Sequence, residues 1–147
     1  MRLLRHAPLL IIALLVGLVA GCGSSDRKPV FAAEGRILFD GKPIPHALVT
    51  LHPLGTPDRE SPRPHGSVTK DGSFVLTTYD AGDGAPAGEY GVTVEWWLTN
   101  ATARTGEGDS PPPTNRLPGR YARVETSKLR VRIEEGANQL PLIQLSR

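Results

Sequence analysis

The chain has 147 residues, a formal net charge of +2 and a single cysteine. That length supports one domain, and a lone cysteine excludes an internal disulfide, so an apolar core must hold the body together. Both surplus charges, Arg2 and Arg5, lie at the very start; from Cys22 onward acidic and basic side chains balance, which leaves no electrostatic footprint for nucleic acid.

Arg2 and Arg5 precede an apolar run over residues 7–20, which the small residues Gly21 and Cys22 close. The run is short of the roughly 20 residues a bilayer-spanning helix needs. Leu and Ile fill every face of it, unlike the single stripe of a core helix. A basic start followed by a short apolar run has the form of a secretory signal. Val19-Ala20-Gly21-Cys22 resembles the lipobox of bacterial lipoproteins. The resemblance implies a signal peptide over residues 1–21, cleavage between Gly21 and Cys22, and a diacylglycerol on the Cys22 sulfur. Each buried acyl CH₂ contributes ~0.8 kcal/mol and stable anchoring takes more than one chain, which two or three acyl chains on one cysteine supply. The expected partner is therefore membrane lipid through Cys22, and the expected place is the bacterial cell envelope.

Residues 22–29 continue as GSSDRKP after the cysteine, polar and without apolar periodicity, and predict a flexible tether. From Val30 the signals change. With 14 Pro and 16 Gly, the chain sustains no helical spacing. Short alternating or β-branched runs between turn signals predict strands instead. VFAAEGRILF is followed by Asp40-Gly41, a tight-turn pair. In HALVTLHP, Ala47, Val49 and Leu51 face one side and Leu48, Thr50 and His52 the other. LGTPDRESPRP reads as a Pro-rich charged loop. HGSVT and SFVLTT flank the turn Lys70-Asp71-Gly72. In EYGVTVEWW, Tyr90, Val92, Val94 and Trp96 share an inward face, with Glu89, Thr93 and Glu95 opposite.

Residues 98–120 lack structure signals and read as a long surface loop, beyond the ~12–15 residues common in compact domains. SKLRVRIEE then alternates Leu129, Val131 and Ile133 against Lys128, Arg130 and Arg132. Gly136-Ala137-Asn138 turns the chain into QLPLIQL, where Pro141 implies an edge position or a bulge. The expected fold is an all-β, about seven-stranded β-sandwich spanning residues 30–147.

AEGRILFDGKPIPHALVTLHP, KDGSFVLTT, APAGEYGVTVEW and SKLRVRIEEGANQL resemble exported lipoproteins of the planctomycete type that carry a carboxypeptidase regulatory-like domain. The motif elements are Gly35, Gly41-Lys42-Pro43-Ile44, Ala47-x-Val49-x-Leu51-x-Pro53, Asp71-Gly72-Ser73-Phe74 and Gly88-Glu89-Tyr90. The resemblance implies a transthyretin-like sandwich and no particular activity, because these positions are turn and core positions.

Chemistry-bearing patterns are sparse. The chain ends Gln144-Leu145-Ser146-Arg147, unlike the Tyr-Arg-Gly-Ser tail of hydroxyisourate hydrolases, and it has no His-x-His pair of the intradiol-dioxygenase kind. His46 and His52 fall on an outward face and His65 beyond the Pro-rich loop, so they read as exposed histidines rather than a zinc set. Asp80 and Asp83 read as turn residues rather than a calcium cage. No Gly-x-Ser-x-Gly elbow occurs. Neither a cofactor, a metal nor a catalytic residue is expected. Trp96-Trp97 puts one indole inside and one outside; Trp97, with Tyr79, is the candidate contact for a glycan or protein partner. The leading expectation is a non-enzymatic, lipid-anchored envelope protein with a structural or binding role. A carbohydrate-binding module stands second, and an unrecognised hydrolase or metal enzyme last.

Overall fold

The protein is described from a computed structural model covering residues 27–55, 61–97 and 113–147. The proposed signal segment, Gly21 and Cys22 lie outside these residues, as does the 98–112 portion of the expected long loop. Among the described residues, nine strands form two sheets, an all-β sandwich as expected. No described helix is long and apolar enough to cross a membrane.

β1 (Ala33–Phe39) is the centre of the first sheet. Its alternation is literal: Ala33, Gly35 and Ile37 are buried while Glu34 and Arg36 are exposed, the period-two pattern of a strand with one covered face. Asp40 (φ 47°) and Gly41 (φ 76°) both occupy the left-handed region. This is the two-residue turn that returns the chain antiparallel as β2 (Lys42–Pro43). On the same flank, β5 (Ser73–Val75) pairs antiparallel with the first half of β1.

The opposite flank carries the C-terminal segment, in parallel. β8 (Asn138–Gln139) pairs with the start of β1 and β9 (Ile143–Leu145) with its end. Ala33 faces Asn138 but Ile37 faces Ile143, so the register slips by one residue between them. Pro141, with no N–H to give the ladder, lies in that slip on an outer strand. The expected single last strand is thus two, for the reason its proline signals.

The second sheet is wholly antiparallel, in the order β4 (His65–Ser67), β3 (Leu48–Pro53), β6 (Gly88–Glu95), β7 (Leu129–Ile133). Val49, Leu51, Val92, Val94, Val131 and Ile133 project from it into one buried cluster with Ile37, Phe74, Leu76, Ile143 and Leu145 of the first sheet. Burying an aliphatic or aromatic side chain of this kind stabilises a fold by ~1.5–3 kcal/mol.

Two devices tie the sheets together at their edges. β4 belongs to one sheet and β5 to the other, yet His65 and Thr77 exchange both backbone bonds (2.9 and 2.8 Å). A Cβ on Gly66 would stand 2.6 Å from the Val75 carbonyl oxygen, so this close approach requires glycine. At the other edge, the Tyr121 hydroxyl donates to the Ser146 carbonyl (3.1 Å) and accepts from the Ser146 N–H (3.0 Å).

Tyr121 sits in a 3₁₀ turn (Gly119–Ala122) that leads into α1 (Val124–Ser127). This helical passage has no counterpart in the sequence-based expectation, and it changes the outer face of β6. Thr93, expected to face solvent, is buried there, and a Cβ on Gly91 would meet Val124 Cγ1 at 2.5 Å.

Candidate functional site

The ends of the sandwich differ in what reaches them. At the end where β6 begins, the chain enters from residue 27 and the segment between β5 and β6 wraps the core. The Asp83 carboxylate organises that segment. Its Oδ1 accepts the Thr78 N–H (2.7 Å), and its Oδ2 accepts the N–H groups of Tyr79 and Asp80 (2.9 Å each). Partial burial pushes the carboxyl upward, but the bonds from Thr78, Asp80 and Tyr79 outweigh it and hold Asp83 below its usual value. The cluster reads as the turn expected for Asp80 and Asp83, with Asp83 as its hub.

Tyr79 is half-buried on this loop, and the incoming chain lies on it. The Arg27 guanidinium stands 5.1 Å from the Tyr79 ring centroid and 3.5 Å from Asp80 Oδ2. The Lys28 N–H donates to the Tyr79 hydroxyl (3.2 Å). Residues 27–29, expected as part of a free tether, therefore engage the body at Arg27 and Lys28. Beside them is a cleft of about 190 Å³ lined by Lys28, Leu54, Pro62, Pro86 and Tyr90, among others. The Tyr90 hydroxyl, donating to the Pro86 carbonyl (2.8 Å), titrates above its ordinary range through burial and the neighbouring Tyr79.

At the far end, beyond Glu95, Trp96 and Trp97 alternate as expected. The Trp96 indole N–H donates to the Pro45 carbonyl (3.0 Å) and the Arg116 guanidinium stacks 4.5 Å above its ring. Trp97 points outward with 41% of its surface exposed, its backbone bridged to Asn115. Asn115 Oδ1 accepts from the N–H groups of Trp96 and Leu117 (3.0 and 3.1 Å). Tyr79 and Trp97 are not brought together: one is beside Tyr90 near the start of β6, the other past its end. At ~3.3 Å per residue that places them on the order of 20 Å apart. A single site using both aromatics is not formed.

The histidines also separate. His46, in the turn before β3 with φ 66°, and His65 on β4 are exposed. His52 is half-buried, its Nε2 2.8 Å from Thr93 Oγ1. Burial chiefly, and then Arg63, lower its pKa against the opposing pull of Glu125 and Glu95. Thr93 is only 7% exposed, so the hydroxyl of this pair is buried on the face of β6 where the helical passage packs, while the imidazole is half-buried. The pair satisfies two polar groups on a covered face. Among the described residues, no three His, Cys, Asp or Glu side chains converge as metal ligands would.

The other missed feature is Asn115, whose carbonyl pins the chain at Trp96. Nothing in the local sequence distinguishes it from the surrounding polar residues. No protein-family model, curated protein or solved structure matches the chain.

Proposed function

We propose that this protein is a lipid-anchored component of a bacterial envelope that displays a β-sandwich in a structural or binding role, without catalysis of its own. The observation that carries the reading is Cys22, preceded by Val19-Ala20-Gly21 at the close of the apolar run over residues 7–20, behind Arg2 and Arg5. A thiol in that setting is a point of cleavage and acylation. The same reading accounts for the absence of a second cysteine, since the one present is consumed by lipid. Membership of the carboxypeptidase regulatory-like group belongs to the proposal as well; the two-sheet, all-β body is compatible with it.

Two features of the body support display over chemistry. Asp83 spends its carboxylate on the backbone of its own loop, and Asn115 and Tyr121 bond the backbone of Trp96 and Ser146. The chain enters at one end of the sandwich, and Trp97 lies exposed at the other end among the described residues. The test is metabolic labelling with an alkyne fatty acid in a bacterial host. The wild type incorporates label, and Cys22→Ser loses all of it and accumulates as an uncleaved precursor. Undiminished labelling of Cys22→Ser overturns the proposal.

A further inference from the structure

The segment between β5 and β6 is held by hydrogen bonds among its own residues. Besides the three bonds to Asp83, the Thr78 hydroxyl donates to the Gly84 carbonyl (2.6 Å) and the Gly82 N–H to Thr77 Oγ1 (2.9 Å). Across this platform runs the chain from Arg27 to Phe31. Phe31 and Ala85 exchange backbone bonds of 2.9 and 3.0 Å. Gly84, at φ 96°, has its missing side chain directly against the Phe31 carbonyl, so that any Cβ there would displace the incoming chain. Lys28 lines the cleft with Leu54 and Pro86, while Arg27 lies over Tyr79 and reaches Asp80.

We propose that the Tyr79 loop is a docking site for the chain that leads to Cys22, holding this end of the sandwich close to the lipid surface and the Trp97 end away from it. The proposal rests on the lipid-anchoring reading for its partner, a membrane surface, and on Arg27, Lys28, Tyr79 and Asp80 for its geometry. Its consequence is a change of reach. Released to Phe31, the spacer from Cys22 extends to roughly 30 Å; docked from Arg27 onward, it extends to at most roughly 18 Å. The shorter span exceeds the Debye length of ~8 Å at physiological salt only about twofold. The docked body therefore hangs close to the headgroups, with the β7–β8 turn beside the membrane. The longer spacer would let the body tumble.

The full-length lipidated protein in phosphatidylcholine vesicles carrying a headgroup-attached energy-transfer acceptor tests this. Because Cys22 is blocked by lipid, single reporters enter as Ala137→Cys, near the start of β8, or Lys70→Cys, at the far end. Transfer to the headgroups is expected to be severalfold stronger from position 137. In Asp80→Asn and in Tyr79→Ala the difference between the two positions narrows. In the same vesicles trypsin reads the docking directly, because Lys28-Pro29 resists it and Arg27-Lys28 is the cleavable bond. Exposed ion pairs and cation–π contacts are individually weak, so cleavage after Arg27 is expected to accelerate about twofold to fivefold in each variant. Equal transfer from the two ends, or cleavage that neither variant accelerates, overturns the docking site. A chain that neither floats with the vesicles nor carries lipid overturns the anchoring reading instead, and cleavage after Arg27 still decides whether the loop holds the chain.

Discussion

His52 and Asp83 show how single side chains are given work by neighbours distant in sequence. His52 faces Thr93 across the β3–β6 ladder and lies beneath a passage that includes Glu125. Its pKa is lowered from 6.5, chiefly by burial. A histidine with a depressed folded-state value binds its proton more readily when unfolded. Its contribution to stability is therefore complete above the unfolded value and is lost as pH falls below it. Urea-unfolding free energy is expected to decline as pH drops from about 7.5 through 6.5, and His52→Gln to remove part of that decline. An identical pH slope in the variant contradicts the assignment. Asp83 carries the same sign in a lower window: its depressed carboxyl stabilises the loop above the ordinary carboxylate range and stops doing so in acid. At this scale the sequence was readable where conformation is local. Asp40-Gly41 and Gly72 are turn residues because their backbones sit at positive φ. The covering of His52 was not readable, because it depends on residues more than sixty positions away in the chain.

Elements were legible in proportion to their length and regularity. β1, β3 and β7 have the alternation that their residues spell out, β6 loses it where the helical passage covers its outer face, and Pro141 marks the slip between β8 and β9. The helical passage was not legible. Residues Val124–Ser127 make a single turn, too short for a 3.6-residue period to register, and the preceding Pro118-Gly119 looks like loop. Its mark in the sequence is Gly91, a glycine in the strand interior just before the β-branched Val92-Thr93-Val94, which signals close approach by another backbone or side chain. Gly91→Ala is accordingly expected to push α1 outward and cost about 1–3 kcal/mol in urea unfolding, as overpacking does. Removing the obstructing methyls in Gly91→Ala/Val124→Ala should recover part of that loss. A Gly91→Ala protein as stable as the wild type contradicts the packing of α1 on β6.

For the whole molecule, composition and turn spacing led to the sandwich, and the pairing of β1 with strands from both ends of the chain completed it. What patterning could not convey is polarity along the β6 axis. The chain enters beside Tyr79, and Trp97 stands at the opposite end. Under the proposed anchoring, that asymmetry would give the domain a membrane side and a display side, and it separates two aromatics that composition alone invites one to combine. The proposed anchored role rests on acylation of Cys22. Intact-mass analysis of the mature protein purified from a bacterial membrane fraction decides this most directly. The account predicts a polypeptide that begins at Cys22, carries a diacylglyceryl group with or without a third acyl chain, and has no free thiol. A species that retains the first 21 residues, or begins elsewhere with its cysteine free or removed, would contradict it.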